Sequence, residues 1–320
     1  MIFDGHSDLL YDVTWRRLRG ETHVLERHHL DDLRRGGVEG MVLSLWTSAP
    51  GETFWKETDC RTAAERTARM MDCARAEFAQ CPWLTVVRTA AEARAARAAG
   101  KRYAFLGVEG MAAAGEDLDW IDRYAAFGAR MGMLTWNEEN ALAAGAGGDR
   151  DHGLTALGRQ AVENMRRTGM VVDVSHLNER SFWDVIGLEG GVVIASHSNC
   201  RALAPHCRNL TDEMIRALAN KGGLVGLNYC SGFLDNQPEE KLCRSTTALM
   251  AKHAAHFKQV GGIEIIGLGS DFDGIGGKLE MDDCSKLPLL ADALRREGFT
   301  EDEVEAIFYR NARRFFEENL

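Results

Sequence analysis

Eight short apolar runs, each ending in polar residues or glycine and each followed by an Ala-, Arg- or Leu-rich helical stretch, constrain this chain more than any other feature. They are IFDGHSD (2–8), VEGMVLSLWT (38–47), YAFLGVEG (103–110), ARMGMLTWN (129–137), MVVDVSH (170–176), GVVIASHS (191–198), LVGLNY (224–229) and IEIIGLGSDFDG (263–274). Nearly continuous apolar strands alternating with helices imply a parallel sheet covered by helices. Eight such units in 320 residues imply a closed (β/α)8 TIM barrel, folded as a single domain over 1–320. An open doubly wound sheet is the weaker alternative, because the units are evenly spread and no Gly-x-Gly-x-x-Gly follows the first strand. Segment 48–101 is longer than one helix requires and is expected to hold two helical pieces. The stretch 299–319 reads as a closing helix with Thr300 as N-cap and Glu303 three residues on.

Composition then removes whole classes of function. A formal charge of −10 argues against a nucleic-acid surface, which needs clustered Lys and Arg. Arg-rich pieces such as ARAEFAQ and AEARAARAAGKR read as solvated helix faces. No run of 18 apolar residues spans a membrane, and the first residues lack a signal-peptide pattern. The eight Cys form no CxxC pair, and a chain of this length needs no disulfide staples. The expectation is a cytoplasmic protein with reduced thiols.

In such barrels the active site lies at the C-terminal ends of the strands. Those ends here carry His6 and Asp8, Glu109, His176, His197 and Asp271. His6 and Asp8 are two apart, so they project from the same side of one strand tip. Each residue alone has a bland reading as a cap or a hydrogen-bonded core group. Together, imidazoles and carboxylates on several strand ends imply a metal centre, since burying them otherwise leaves polar groups in need of partners. Imidazole and carboxylate ligands without thiolates suit Zn(II), with Mn, Co or Fe as alternatives. Two ions are accommodated if Glu109 bridges. The remaining histidines read differently: His28 and His29 sit in a polar helical run, His206 in a loop, and His253 and His256 on an exposed helix face. DFDG (271–274) lacks the rest of a calcium loop.

These motifs, DGHSDLL, GVEG, LTWNEEN, GLTALGRQAVENMRRTGMVVDVSHLNE, ASHSN, RNLTDEMI and GLGSDFDG, resemble those of the membrane dipeptidase (renal dipeptidase) family of zinc metallopeptidases, and the resemblance spans nearly the whole chain. It implies that His6 and Asp8 bind one zinc, that His176 and His197 bind the other, and that Glu109 bridges them. It implies that Asp271 handles the proton of the bridging water and contacts the substrate amine. Arg208 matches the residue that grips the substrate carboxylate, a task suited to a guanidinium fork. Family members cleave dipeptides, often with a C-terminal D-residue, and some open carbapenem-type lactams. A homodimer is also implied.

The sequence departs from the animal enzymes at LTWNEEN, where Trp136 replaces a His that helps stabilise the tetrahedral intermediate. An indole donates one hydrogen bond and carries no charge. Asn137, Asn140 or His152 offers a replacement donor, and Tyr229 joins Trp136 and Asn137 among the expected substrate contacts. The expected activity is therefore that of a dinuclear zinc dipeptidase working by attack of a metal-bridged hydroxide. A related amidohydrolase acting on N-acyl amino acids or cyclic amides is the alternative, as is a metal-binding barrel of reduced activity.

Overall fold

The computed structural model describes residues 1–47 and 53–320. Its strands are β1 (Ile2–Ser7), β2 (Val38–Trp46), β3 (Leu84–Val86), β4 (Arg102–Glu109), β5 (Ala129–Met133), β6 (Val171–Asp173), β7 (Val193–Ala195), β8 (Leu224–Leu227) and β9 (Ile266–Leu268). They follow one order, β2-β1-β9-β8-β7-β6-β5-β4-β3, and β2 also pairs with β4. That second pairing closes eight strands into the TIM barrel that the sequence implies. Each of the eight apolar runs supplies one of them.

The ninth strand corrects the reading of 48–101. Helices Ala63–Phe78 and Ala90–Ala98 are there, but β3 lies between them and pairs in parallel with the start of β4, Leu84 opposite Arg102. Residues 48–52 of that segment lie outside the described residues.

By contact density the chain forms two compact units. The first comprises Met1–Ser7, His29–Val42 and Val192–Asn319; the second comprises Asp8–His28 and Leu43–Gly191.

In the first unit β1 is buried along its whole length, although it carries Asp4 and His6. It pairs in parallel with β9, Asp4 opposite Leu268, and β9 pairs with β8. Two glycines make the packing of the strand ends possible. A Cβ on Gly226 or on Gly269 would stand 1.8 Å from the carbonyl oxygen of Ser196, far inside contact distance. Helices Asp212–Asn220 and Thr247–Gly261 are capped by Thr211 and Thr246, whose hydroxyls accept from the backbone N–H of the N3 residue. Thr300 and Glu303 form the expected reciprocal cap, with bonds of 3.3 and 3.0 Å. The chain then runs through a π-type turn, Ala306–Arg310, into Asn311–Asn319.

His253 corrects a second expectation. It lies on helix Thr247–Gly261 but is fully buried. Its Nδ1 accepts from the Cys200 backbone N–H at 3.0 Å, and its Nε2 lies 3.1 Å from the Leu234 carbonyl. Burial pushes its pKa down to about 4. His256, three residues on, pairs with Asp212 at 2.7 Å.

In the second unit β4 pairs with β5 and β5 with β6, all in parallel. Helices Ala156–Arg167 and Glu179–Ile186 follow β5 and β6, capped by Thr155 and Asn178. No helix among the described residues is long and apolar enough to cross a membrane.

Candidate metal centre

The first unit places His6, His197 and Asp271 at or just beyond strand ends, and Arg208 in the loop between β7 and helix Asp212–Asn220. His6 is the penultimate residue of β1, while His197 and Asp271 fall two and three residues past β7 and β9. Both imidazoles are fully buried, and their rings stack with centroids 3.9 Å apart. Ser196 Oγ lies 2.8 Å from His197 Nδ1 and 3.4 Å from His6 Nδ1. Contacts of this kind fix the tautomer and leave Nε2 as the ligand atom. His6 Nε2 is 3.9 Å from Asp271 Oδ1.

Sequence reasoning did not find the polar frame around these groups. Asp4 lies two residues before His6, on the same side of β1. It accepts from the Ser270 backbone N–H at 2.9 Å, from the Ser270 hydroxyl and from the His6 backbone N–H. Burial nevertheless pushes the Asp4 carboxyl up from its ordinary value. Asn228, one residue past β8, donates from Nδ2 to Asp271 Oδ2 at 2.9 Å. Its own Oδ1 accepts from the Cys230 N–H, and its backbone exchanges two hydrogen bonds with the Asn199 side chain. One signal was available: Asn228 ends an apolar run just as His197 does.

Arg208 is buried, and its guanidinium stacks 5.3 Å from the Phe233 ring centroid. Tyr229 is fully buried too, with its ring centroid 5.4 Å from that of Phe272.

The second unit carries Asp8, Glu109 and His176. Asp8 is buried and directly precedes helix Leu9–Arg17. Glu109 is the last residue of β4 and accepts from Ser44 Oγ at 3.0 Å. Its Oε1 lies 2.9 Å from His176 Nε2, both groups being buried. On the other side of the imidazole, Asn137 Oδ1 is 2.8 Å from Nδ1. If Nδ1 donates to Asn137, the neutral ring turns a lone pair toward a carboxylate oxygen. Two acceptors at that separation require a proton or a metal cation between them. The donor set thus fits a metal ion.

Of the proposed replacement donors, Asn140 is spent on its own loop, bonding Leu134, Leu142 and Ala143. His152 is exposed and pairs with Glu139 at 2.7 Å. Trp136 is half-buried, its ring centroid 5.9 Å from that of His176.

Strain marks two of these positions. His176 and Asp271 have φ of +67° and +63°. The left-handed region costs a residue with a Cβ roughly 1–3 kcal/mol when the surrounding structure enforces it, and such residues cluster at functional sites.

Residues 1–319 match the family model described as membrane dipeptidase (peptidase family M19). An uncharacterized dipeptidase of Schizosaccharomyces pombe is 35% identical over 334 residues, covering 98% of this chain and 79% of that protein. An uncharacterized protein of Klebsiella pneumoniae is 35% identical over 203 residues, 62% of this chain and 74% of that one. Among solved structures, the dipeptidase AC, a metallopeptidase of family M19, has a TM-score of 0.88 at 27% identity, covering 99% of this chain and 98% of its own. A metallopeptidase from Rhodobacter sphaeroides, liganded with a phosphinate mimic of L-Ala-D-Ala, has a TM-score of 0.87 at 26% identity, covering 100% and 99%.

Proposed function

Since the chain belongs to the membrane dipeptidase family and is a metallo-dipeptidase by that membership, we propose that it is a dinuclear zinc enzyme that cleaves dipeptides, including those with a C-terminal D-residue. In this reading His6, Asp8, Glu109, His176 and His197 would hold the ions. The observation that carries it is the buried Glu109 Oε1 facing His176 Nε2 at 2.9 Å. Further support comes from the burial of His6, Asp8, Glu109, His197 and Asp271, imidazoles and carboxylates that are common metal ligands. The Rhodobacter sphaeroides relative binds a mimic of a dipeptide ending in D-Ala, which motivates the D-residue.

Bound metal ions supply acidification of water, toward a pKa of about 7, and polarisation of the scissile carbonyl. The protein supplies the rest. Arg208, whose guanidinium lies over the Phe233 ring, pairs with the substrate carboxylate. Asp271 takes the proton of the attacking water at its carboxylate and returns it to the leaving amine. Asn228 fixes Asp271 Oδ2 and so sets the direction of that transfer. The chain works as one catalytic domain, without nucleic-acid or membrane partners, in a reducing compartment such as the cytoplasm. All eight cysteines are unbridged thiols, which supports that setting.

The test is metal analysis of the purified protein together with rates on Ala-Ala, Ala-D-Ala and N-acetyl-alanine. Two zinc ions per chain and turnover of both dipeptides are expected. Turnover of N-acetyl-alanine alone would move the protein to the deacylases, and one ion per chain would remove the dinuclear reading.

A further inference from the structure

Five aromatic rings of the second unit form a continuous chain that ends at a metal-ligand candidate. Phe54 lies 4.9 Å from Tyr11, Tyr11 lies 5.0 Å from Trp46, and Trp46 meets Trp136 edge-on at 5.4 Å. Trp136 in turn stands 5.9 Å from the His176 ring. Core aromatics of this protein, such as Tyr103, Tyr124 and Phe182, are at most 2% exposed. By contrast Tyr11, Trp46 and Trp136 are each half-buried. Three large rings left partly open beside a ligand are unlike core packing, where such surface is covered. Binding sites for small molecules have this make-up: an apolar, aromatic wall with a few directed polar groups. The indole N–H of Trp46 is buried with no hydrogen-bond partner among the described residues, a donor available to a bound polar group.

We infer that Trp136, Trp46 and Tyr11 form the wall of a side-chain subsite that selects dipeptides carrying a large apolar, preferably aromatic, residue. Trp136 then has a role of its own. The inference rests on the dipeptidase reading and narrows its substrate class. A ring stacked on such a wall gains the buried area and the aromatic contact that an alanine methyl does not.

The test compares kcat/KM for Phe-Ala, Ala-Phe, Lys-Ala and Ala-Ala in the metal-loaded protein and in Trp136→Ala, Trp46→Ala and Trp46→Leu. At least one Phe-containing dipeptide is expected to exceed Ala-Ala by ~10-fold or more, the scale of discrimination that an apolar pocket provides. Each alanine variant should bring that ratio toward one. The ratio is taken within one preparation, so a partly folded variant does not distort it, and Trp46→Leu keeps apolar bulk if Trp46→Ala fails to fold. Titration of tryptophan emission with Phe-Ala, Ala-Phe and Ala-Ala is the second readout, and it does not depend on cleavage. Tighter emission-detected binding of a Phe-containing dipeptide without turnover would sink the dipeptidase reading and keep the subsite. Equal ratios in wild type, ratios unchanged in the alanine variants, or a preference for Lys-Ala would overturn the subsite while leaving dipeptide hydrolysis in place.

Discussion

Asp271 in the first unit and Glu109 in the second are both buried carboxylates at strand ends, yet their surroundings differ. Asp271 meets an amide, Asn228, which is itself tied to Asn199 and to the Cys230 N–H. Nearby, Asp4 is tied to Ser270 by two bonds. Glu109 has a hydroxyl, Ser44, and an imidazole, and beyond that imidazole lie rings. A polar frame restrains direction, because each hydrogen bond has an angular preference. Stacked rings restrain position with little directional demand. On the proposed function, the first unit is thus suited to steering a proton and gripping charged termini, and the second to holding a large apolar side chain.

The largest effect should come from the ring-lined side. His176→Ala is expected to lower metal content from two ions to one. It should cut kcat by at least ~10³-fold, beyond the ~10–100-fold that loss of a ligand's outer hydrogen-bond partner costs. Elemental analysis alongside turnover checks this, and full activity with two ions would take His176 out of the site. Next comes Arg208→Met. Loss of a charge-assisted bond is worth about 1.5–3 kcal/mol, so KM for free dipeptides should rise ~10–100-fold, with a much smaller change for dipeptide amides. Equal losses on both substrates would make Arg208 a support of the fold.

A finer separation comes from two asparagines. Asn228→Ala should lower kcat by ~10-fold with KM and metal content held, because Asp271 loses its direction. Asn137→Ala should instead weaken metal binding ~10-fold through His176. If both variants lose the same parameter, the contrast between the two surroundings fails.

The smallest effect on turnover, and a distinct one on stability, belongs to His253. Its folded-state pKa of about 4 lies below the ordinary 6.5. The unfolded chain therefore binds the proton first as pH falls. The stabilisation is complete above pH 6.5 and is lost between 6.5 and 4, by about 3 kcal/mol if the whole shift is realised. Urea unfolding across that window should show a shallower pH slope in His253→Gln. An unchanged slope would mean that the ring does not stay neutral in the fold.

The barrel was legible because buried parallel strands are written as unbroken apolar runs. β3 was not, since Leu84–Val86 is three residues long, partly exposed and enclosed by helical text. His253 was misread from its charge type, yet its spacing from Met250 and Phe257 puts it in the buried stripe of its helix. The ligand candidates could be named because strand ends are visible in sequence. The frame that holds them could not, since it joins residues as distant as Asp4 and Ser270, 266 positions apart.

The positive φ at Asp271 governs how that position tolerates replacement. Asn occupies the left-handed region at least as readily as Asp, whereas β-branched side chains do not. Asp271→Asn therefore removes a charge while keeping the backbone turn in place. A valine or isoleucine there would displace the turn that also presents Ser270 to Asp4. A saturation library at 271 should accordingly sort into two groups: Asn and Gly, which fold and report on proton transfer, and branched residues, which report on the collapse of the strand end.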